Sequence, residues 1–239
     1  MIVEGKNPIK ELLVSGATIN KLYVQNNLRD GLSNQIIKLA KEAKIRIDFV
    51  SKEFLDRKSE QKRHQGFICD TVEFKYCEIQ DILNFAQEKN EAPFIVVLDG
   101  IEDPHNFGAI LRSADAFGVD GVIIKNRNQV PLNMTVAKVS TGAIEYVKIA
   151  QVSNLVLAIK KLKENGFWIY AADGSGKDDY QKLDYSGAVA LIVGSEGRGI
   201  SRLVLDNSDF IVKIPMVGHV NSLNVSVSAG ILLSRIANK

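Results

Sequence analysis

The chain has 239 residues, 46% hydrophobic and 24% charged, with a net charge of +2. That is enough apolar material to bury a sizeable core in one or two domains, and it excludes a disordered or low-complexity chain. The opening MIVEGKNPIKELL lacks the apolar run of a signal peptide and no stretch approaches a membrane span, so a cytoplasmic protein is expected.

The charge is unevenly spread. Residues 1–76 hold 14 Lys and Arg against 10 Asp and Glu, whereas residues 77–239 hold 16 against 18. In chain order, Pro8 to Val14 reads as a short helix and Lys21 to Val24 as a strand. Leu32 to Lys44 is an amphipathic helix with Ile36, Ile37, Leu39 and Ala40 on one side. Arg46 to Val50 alternates as a strand. Ser51 then opens a further helix as its cap, and Gly66 to Phe74 closes the unit as a strand. Between them Arg57, Lys58, Lys62 and Arg63 cluster beside His64. Such a run is either a solvated face or a surface for RNA phosphates, since basic side chains supply most sequence-independent affinity for nucleic acid.

Residues 76–92 form the joint. Ile79, Ile82, Leu83 and Ala86 predict a short amphipathic helix, and the polar QEKNEAP that follows reads as a flexible connection. From 93 to 239 strands alternate with helices. The strands are FIVVLD, GVIIK, YVKIA, FWIYAAD, ALIVG and FIVKIP; the helices are expected at 106–117, 133–140, 153–164, 201–206 and 224–237. The strands lack strict alternation, so they read as buried on both faces in a parallel sheet covered by helices. The fold class is α/β. Cys69 and Cys77 are too few and wrongly spaced for a zinc cluster; reduced, idle thiols and no structural metal are expected.

Three blocks carry chemistry: LDGIEDPHNFGAILRSADAFG (98–118), LIVGSEGRGIS (191–201) and IPMVGHVNSLNVSVSAGILL (214–233). In the first, Phe107, Ile110, Leu111, Ala114 and Phe117 recur at helical spacing as a core face, while Asn106, Ala109, Ser113 and Ala116 offer a side with little bulk. Taken singly, Asn106 reads as a helix cap and Arg112 as a surface arginine. His64, His105 and His219 read as exposed loop histidines. In the second block the glycines stand at 194, 197 and 199, out of the order of a dinucleotide fingerprint, which disfavours an NAD enzyme. In the third, NVSVSAGILLSRI should be helical although Val, Ser and Gly each weaken a helix, Gly by about 1 kcal/mol relative to Ala. Ser226, Ser228, Ala229 and Gly230 therefore suit close packing against a ligand loop or a partner helix. Ser222 and Asn224 by themselves are capping residues.

In order and spacing these blocks closely resemble the signature motifs of the SpoU/TrmH family of RNA ribose 2'-O-methyltransferases, of the SPOUT class. The resemblance implies a deep C-terminal trefoil knot, which general chain-topology rules would not suggest, and a homodimer through the C-terminal domain. It implies S-adenosyl-L-methionine as cofactor, held by Gly194, Ile214 and Leu223, and a catalytic set of Asn106, Arg112, Glu196, Ser222 and Asn224. More weakly, VEGKNPIKELL and HQGF resemble the small α/β substrate-binding domain, similar to certain ribosomal proteins, that some members carry. The resemblance thus implies a substrate-binding domain at 1–75, a linker at 76–92 and a methyltransferase domain at 93–239. The two-domain layout most resembles members that methylate a guanosine of large-subunit (23S) ribosomal RNA. The same reaction on transfer RNA, and a ribosome-associated RNA-binding protein without activity, are the alternatives.

Overall fold

In the computed structural model, which describes residues 2–15, 19–71, 74–89 and 91–238, the chain divides into two units, 1–74 and 75–239. The first is built from β1 (Ile2–Glu4), α1 (Lys6–Ser15), β2 (Ile19–Gln25), α2 (Gly31–Glu42), β3 (Arg46–Val50), α3 (Lys52–Lys58) and β4 (Phe67–Thr71). Its sheet runs β1-β4-β2-β3, with β2 and β3 parallel and the other pairs antiparallel. Ile9, Leu22, Val24, Ile36, Ala40 and Phe67 fill the core.

Polar side chains set the helix starts. Asp30 accepts from the Ser33 N–H at 3.0 Å and from Lys6 Nζ at 2.7 Å; the Lys6 ammonium, then Ser33, hold its carboxyl well below the ordinary aspartate value. Ser51 caps α3 as expected, its Oγ accepting from the Phe54 N–H at 3.3 Å. The closing strand is shorter than expected, and residues 72 and 73 of that span lie outside the described residues.

His64 departs from its expected exposure: it is buried. Its Nδ1 accepts from the Gly66 N–H at 3.0 Å, which leaves Nε2 to donate to Asp56 at 2.9 Å. A polar partner on α3 and a backbone amide two residues on satisfy both ring nitrogens, so the side chain can turn inward.

The second unit contains α4 (Ile79–Glu88), β5 (Phe94–Asp99), α5 (Pro104–Ala116), β6 (Gly121–Lys125), α6 (Met134–Val139), β7 (Lys148–Val152), α7 (Leu155–Glu164), β8 (Trp168–Ala172), β9 (Asp178–Asp179), β10 (Val189–Gly194), α8 (Arg202–Leu205), β11 (Phe210–Lys213) and α9 (Val225–Ala237). The seven strands pair in parallel throughout, in the order β7-β6-β5-β10-β8-β11-β9. Every residue of β5 and of β10 is buried, the signature of strands covered on both faces. The amphipathic helix expected in 76–92 is α4, and its Ile82, Leu83 and Ala86 are buried; Ile82 and Leu83 share a cluster with Ile95 and Ile123 of the sheet.

The order of this sheet fixes where a ligand can sit. From β5 the chain builds outward through β6 to β7, then returns to lay β10 on the other side of β5. That reversal opens a crevice beyond the carboxyl ends of β5 and β10, the place where open α/β sheets bind ligands. A half-buried ion pair braces it: the buried Asp99, at the end of β5, takes Lys125 Nζ on Oδ1 at 2.6 Å and the Ser201 N–H on Oδ2 at 2.8 Å.

Burial alone would raise the Asp99 carboxyl, but Lys125 and Ser201 outweigh it and hold the group below the ordinary aspartate value. A depressed folded value gives stability that is present above the unfolded aspartate range and lost as pH falls through the folded one. Asp99→Asn should therefore cost about 2–3 kcal/mol at neutral pH, because it strands the Lys125 ammonium. The deficit should close as the medium is acidified below about pH 4. Urea unfolding at both pH values checks this; a deficit unchanged in acid would show that the pair is not its source.

Candidate active site

Three loops that follow β5, β10 and β11 converge on the crevice. The first becomes α5, whose start is fixed by Asp103: its carboxylate accepts from the His105 N–H at 2.9 Å, and Pro104 occupies the first turn. Asp103 is thus the cap, and Asn106, which in isolation reads as one, is buried just inside the helix with its amide free for other work. Gly108 lets α6 approach, since a Cβ there would lie 2.7 Å from that of Val139.

The second loop is a tight closed turn. Ser195 N–H donates to Gly199 O at 3.1 Å and Gly199 N–H donates back to Ser195 O at 2.8 Å. A Cβ on Gly194 would overlap the backbone of Gly199, which itself needs a φ of +64°. Two glycines are therefore required to fold the turn back on its own strand, and Glu196 projects from the turn.

The third loop leads to α9. Asn224 caps it through Oδ1, which accepts from the Ser226 N–H at 2.9 Å and Ser226 Oγ at 2.6 Å. With Oδ1 held, both protons of Nδ2 face outward. One goes to Glu196 Oε1 at 2.6 Å and one to Asn106 Oδ1 at 3.0 Å, while Asn106 Nδ2 also donates to Glu196 Oε1 at 2.9 Å. Asn106, Glu196 and Asn224 form a closed triangle in which one carboxylate oxygen takes two amide donors. Among the described residues the other oxygen, Oε2, takes no hydrogen bond.

Beside the triangle lies a cavity of about 490 Å³ lined by residues 172–174, 193–196, 199, 212–216, 221–223, 225, 228 and 232. Gly194, Ile214 and Leu223 all line it, as do Ser222 on its exposed rim and Ser228 and Leu232 of α9. Among the described residues no backbone–backbone hydrogen bond involves 216–223, so the N–H and C=O groups of that loop are not tied up in backbone pairing.

Arg112 stands apart. It follows Asn106 by six residues, about 9 Å along the helix and roughly 240° around it. It is exposed, lines no wall of the cavity and makes no hydrogen bond or ion pair with the described residues. His105 and His219 are exposed, as their loop positions suggest. In the first unit Arg57, Lys62 and Arg63 are exposed. Lys58 is engaged locally, with Asp70 at 3.0 Å and its ammonium 4.8 Å above the Tyr23 ring. The turn bearing Lys62 is held by Glu4, whose Oε2 accepts from Ser59 Oγ and whose Oε1 accepts from the Glu60 N–H, both at 2.5 Å.

Sequence reasoning passed over Asp99 and Lys125. Both end apolar buried strands that lie side by side, and opposite charges in such places were the available signal.

A model of the SpoU rRNA methylase family matches residues 93–234, and a model of RNA 2'-O ribose methyltransferase substrate binding matches residues 2–77. The chain is 43% identical over 237 residues to a TrmH family tRNA/rRNA methyltransferase of Bacillus subtilis (strain 168), covering 99% of this chain and 95% of that one. It is 44% identical over 239 residues to one from Staphylococcus haemolyticus, covering 100% and 96%. Among solved structures, the SpoU methyltransferase AviRb from Streptomyces viridochromogenes in complex with the cofactor AdoMet aligns with a TM-score of 0.62 at 21% identity, covering 100% of this chain and 89% of that chain. A structure described as an RNA 2'-O ribose methyltransferase aligns with a TM-score of 0.57 at 26% identity, covering 100% and 88%.

Proposed function

The chain belongs to the SpoU rRNA methylase family of S-adenosylmethionine-dependent RNA 2'-O-methyltransferases, and we propose that its target is a guanosine of large-subunit ribosomal RNA. The observation that carries the chemistry is the triangle of Asn106, Glu196 and Asn224, whose Glu196 lines the cavity of about 490 Å³.

That cavity is the cofactor site in this reading. Its size suits a nucleoside-sized ligand. Gly194 gives close backbone approach, Ile214 and Leu223 give apolar contact, and the unpaired backbone of 216–223 gives hydrogen bonds. The AdoMet of the Streptomyces neighbour supports the assignment. The bound cofactor supplies the methyl group. The protein's part is to hold the ribose so that its 2'-oxygen lies in line, and to take up the proton that the hydroxyl loses. Asn106 and Asn224 fix Glu196, whose free Oε2 accepts the hydrogen bond of the 2'-hydroxyl. Ser222, on the rim, positions the sugar. Arg112 grips a substrate phosphate, for which its planar fork is suited.

The deep trefoil knot belongs to the same reading, supported by the return of α9 from beyond β11 to pack on α5 and β10. So does a homodimer, supported by the apolar strip of Val227, Gly230 and Ile231 left on α9, and a cytoplasmic setting alongside ribosomal RNA. Among the described residues no helix is long and apolar enough to cross a membrane.

The first unit reads the RNA, with Arg57, Lys62 and Arg63 on phosphates and Lys58 contributing charge from its place beside Asp70. A chain of residues 75–239 should keep cofactor affinity and bind RNA at least about tenfold more weakly, with a flatter salt dependence. Starting instead at 93 removes Ile82, Leu83 and Ala86 from the core and should cost about 5 kcal/mol or more. Calorimetry and filter binding on both truncations check this, and undiminished RNA affinity in the 75–239 chain would remove the first unit from substrate reading.

Transfer RNA is the second reading, because the Bacillus subtilis relative is described for both RNAs. The test is methylation of unmodified ribosomal and transfer RNA by the full chain, followed by mass spectrometry of the nucleosides. 2'-O-methylguanosine in large-subunit RNA supports the proposal. Methylation confined to transfer RNA, or to another nucleoside, overturns it.

A further inference from the structure

A second hollow, of about 260 Å³, abuts the first across Ser195, Glu196 and Val225, which line both. Its other walls are Ile101, Glu102 and Asp103 from the turn between β5 and α5, Asn106 from the first turn of α5, and Gly197 and Arg198 from the turn after β10. The two spaces therefore meet at Glu196, the carboxylate of the triangle, and Asn106 lines the second. Methyl transfer requires donor and acceptor within about 3–3.5 Å and aligned. A cavity that meets the cofactor cavity at Glu196 is where the accepting nucleoside has to enter.

The hollow's lining says which part of the nucleoside goes in. Three carboxylates, Glu102, Asp103 and Glu196, would repel a phosphate. Two of them are committed in part: Asp103 to the His105 N–H, and Glu196 Oε1 to the two amides. Glu102 makes no hydrogen bond or ion pair with the described residues, and neither does the Arg198 guanidinium, only the Arg198 backbone N–H being held, by Ser195 Oγ at 3.3 Å. Besides Glu196 Oε2, two whole side chains remain unpaired among the described residues, one that only accepts and one that only donates. A phosphate would use the donor and be repelled by the acceptor, whereas a base edge uses both.

Among the bases, guanine presents two adjacent donors, N1–H and the N2 amino group, and two adjacent acceptors, O6 and N7. A carboxylate fits the first pair and a guanidinium fits the second, bidentately. Uracil presents a single ring N–H, and adenine and cytosine a single amino group. We infer that the hollow receives the target base, turned out of its stack, with Glu102 accepting from guanine N1–H and N2–H and Arg198 donating to O6 and N7. Glu102 and Arg198 are then specificity residues for the reaction, beside the triangle and distinct from it. The inference rests on the guanosine reading above.

Once the methylated nucleotide is located, the probe is a synthetic RNA hairpin bearing that site with either guanosine or inosine at the target, since inosine lacks only the N2 amino group. The full chain should prefer guanosine to inosine by roughly tenfold or more. Glu102→Gln and Arg198→Ala should each lower kcat/KM on the guanosine hairpin by roughly 10- to 100-fold. Glu102→Gln should also level the preference to within about twofold, since the contact to N2 is the one removed. Both side chains are exposed, so melting temperature and S-adenosylmethionine affinity should not move. Rates within twofold of wild type in both variants, or a guanosine-to-inosine ratio unchanged by Glu102→Gln, would overturn the inference. If the located methyl lies on another base, the guanosine reading fails by itself and the guanine pairing with it. Loss of kcat/KM in both variants on a hairpin with that base would keep the hollow as the base subsite; full activity would remove it.

Discussion

Glu196→Ala should slow single-turnover methyl transfer by roughly 10²- to 10⁴-fold, the range for removing a group that handles the proton in the transition state. The carboxylate is held by two amide donors on one oxygen, 2.9 Å from Asn106 and 2.6 Å from Asn224, and this fixes the direction of the other. Alanine removes the acceptor, leaving Asn106 Nδ2 unpaired and Asn224 Nδ2 with Asn106 Oδ1 alone. Binding of S-adenosylmethionine should weaken by no more than about tenfold, because Glu196 is one of many residues around the cavity and a single hydrogen bond has modest net worth. Glu196→Gln keeps the shape without the charge and should recover little rate. Quench-flow kinetics and calorimetry on the same preparations separate the two effects. A rate within tenfold of wild type for Glu196→Ala would assign the proton to another acceptor.

Arg112→Ala should also lose most of the activity, but in a way that Arg112→Lys partly restores. A guanidinium has a pKa above about 12 and stays charged, so it cannot serve as a base near neutral pH. Its exposed place on α5, away from the triangle, suits a hold on phosphate rather than on the reacting hydroxyl. Lysine keeps the charge and loses the fork, so the expected order of rates is arginine, lysine, alanine, with pH profiles that superimpose after scaling. A titrating arginine base leads elsewhere: the lysine variant would shift its profile to lower pH by units rather than tenths. Single-turnover rates against pH for the three proteins decide between them.

The parallel sheet was legible because FIVVLD and GVIIK are apolar on both faces, and their observed spans coincide with the sequence reading. Two strands were not legible. β1 has three residues, too few to show alternation, and pairs with β4 nearly seventy residues away; β9 is Asp178–Asp179, two carboxylates that no strand propensity would choose. The cap of α5 was misplaced because Asn106 and Asp103 are both capping types three residues apart, and only the Asp103–His105 bond shows which one ends the loop. The burial of His64 was hidden because its partner Asp56 lies on a separate element.

The site was legible only as far as resemblance carried it. Asn106, Glu196 and Asn224 are separated by 90 and 28 residues, and no local periodicity joins them. Their meeting follows from the strand order, which sets β10 beside β5. Glu102 and Arg198 had no signal of their own, being ordinary charged loop residues until the two turns are brought to one hollow.

The claim on which the rest depends is that the two amides act through one carboxylate. Single-turnover methyl transfer to the RNA substrate by Asn106→Ala, Asn224→Ala and the double variant, against wild type, measures it directly. Groups working as one unit are not additive in rate. The double variant should therefore fall within about threefold of the slower single one. Losses that multiply, so that the double variant is slower by the product of the two single effects, would mean that Asn106 and Asn224 act independently and that the triangle is not the catalytic unit.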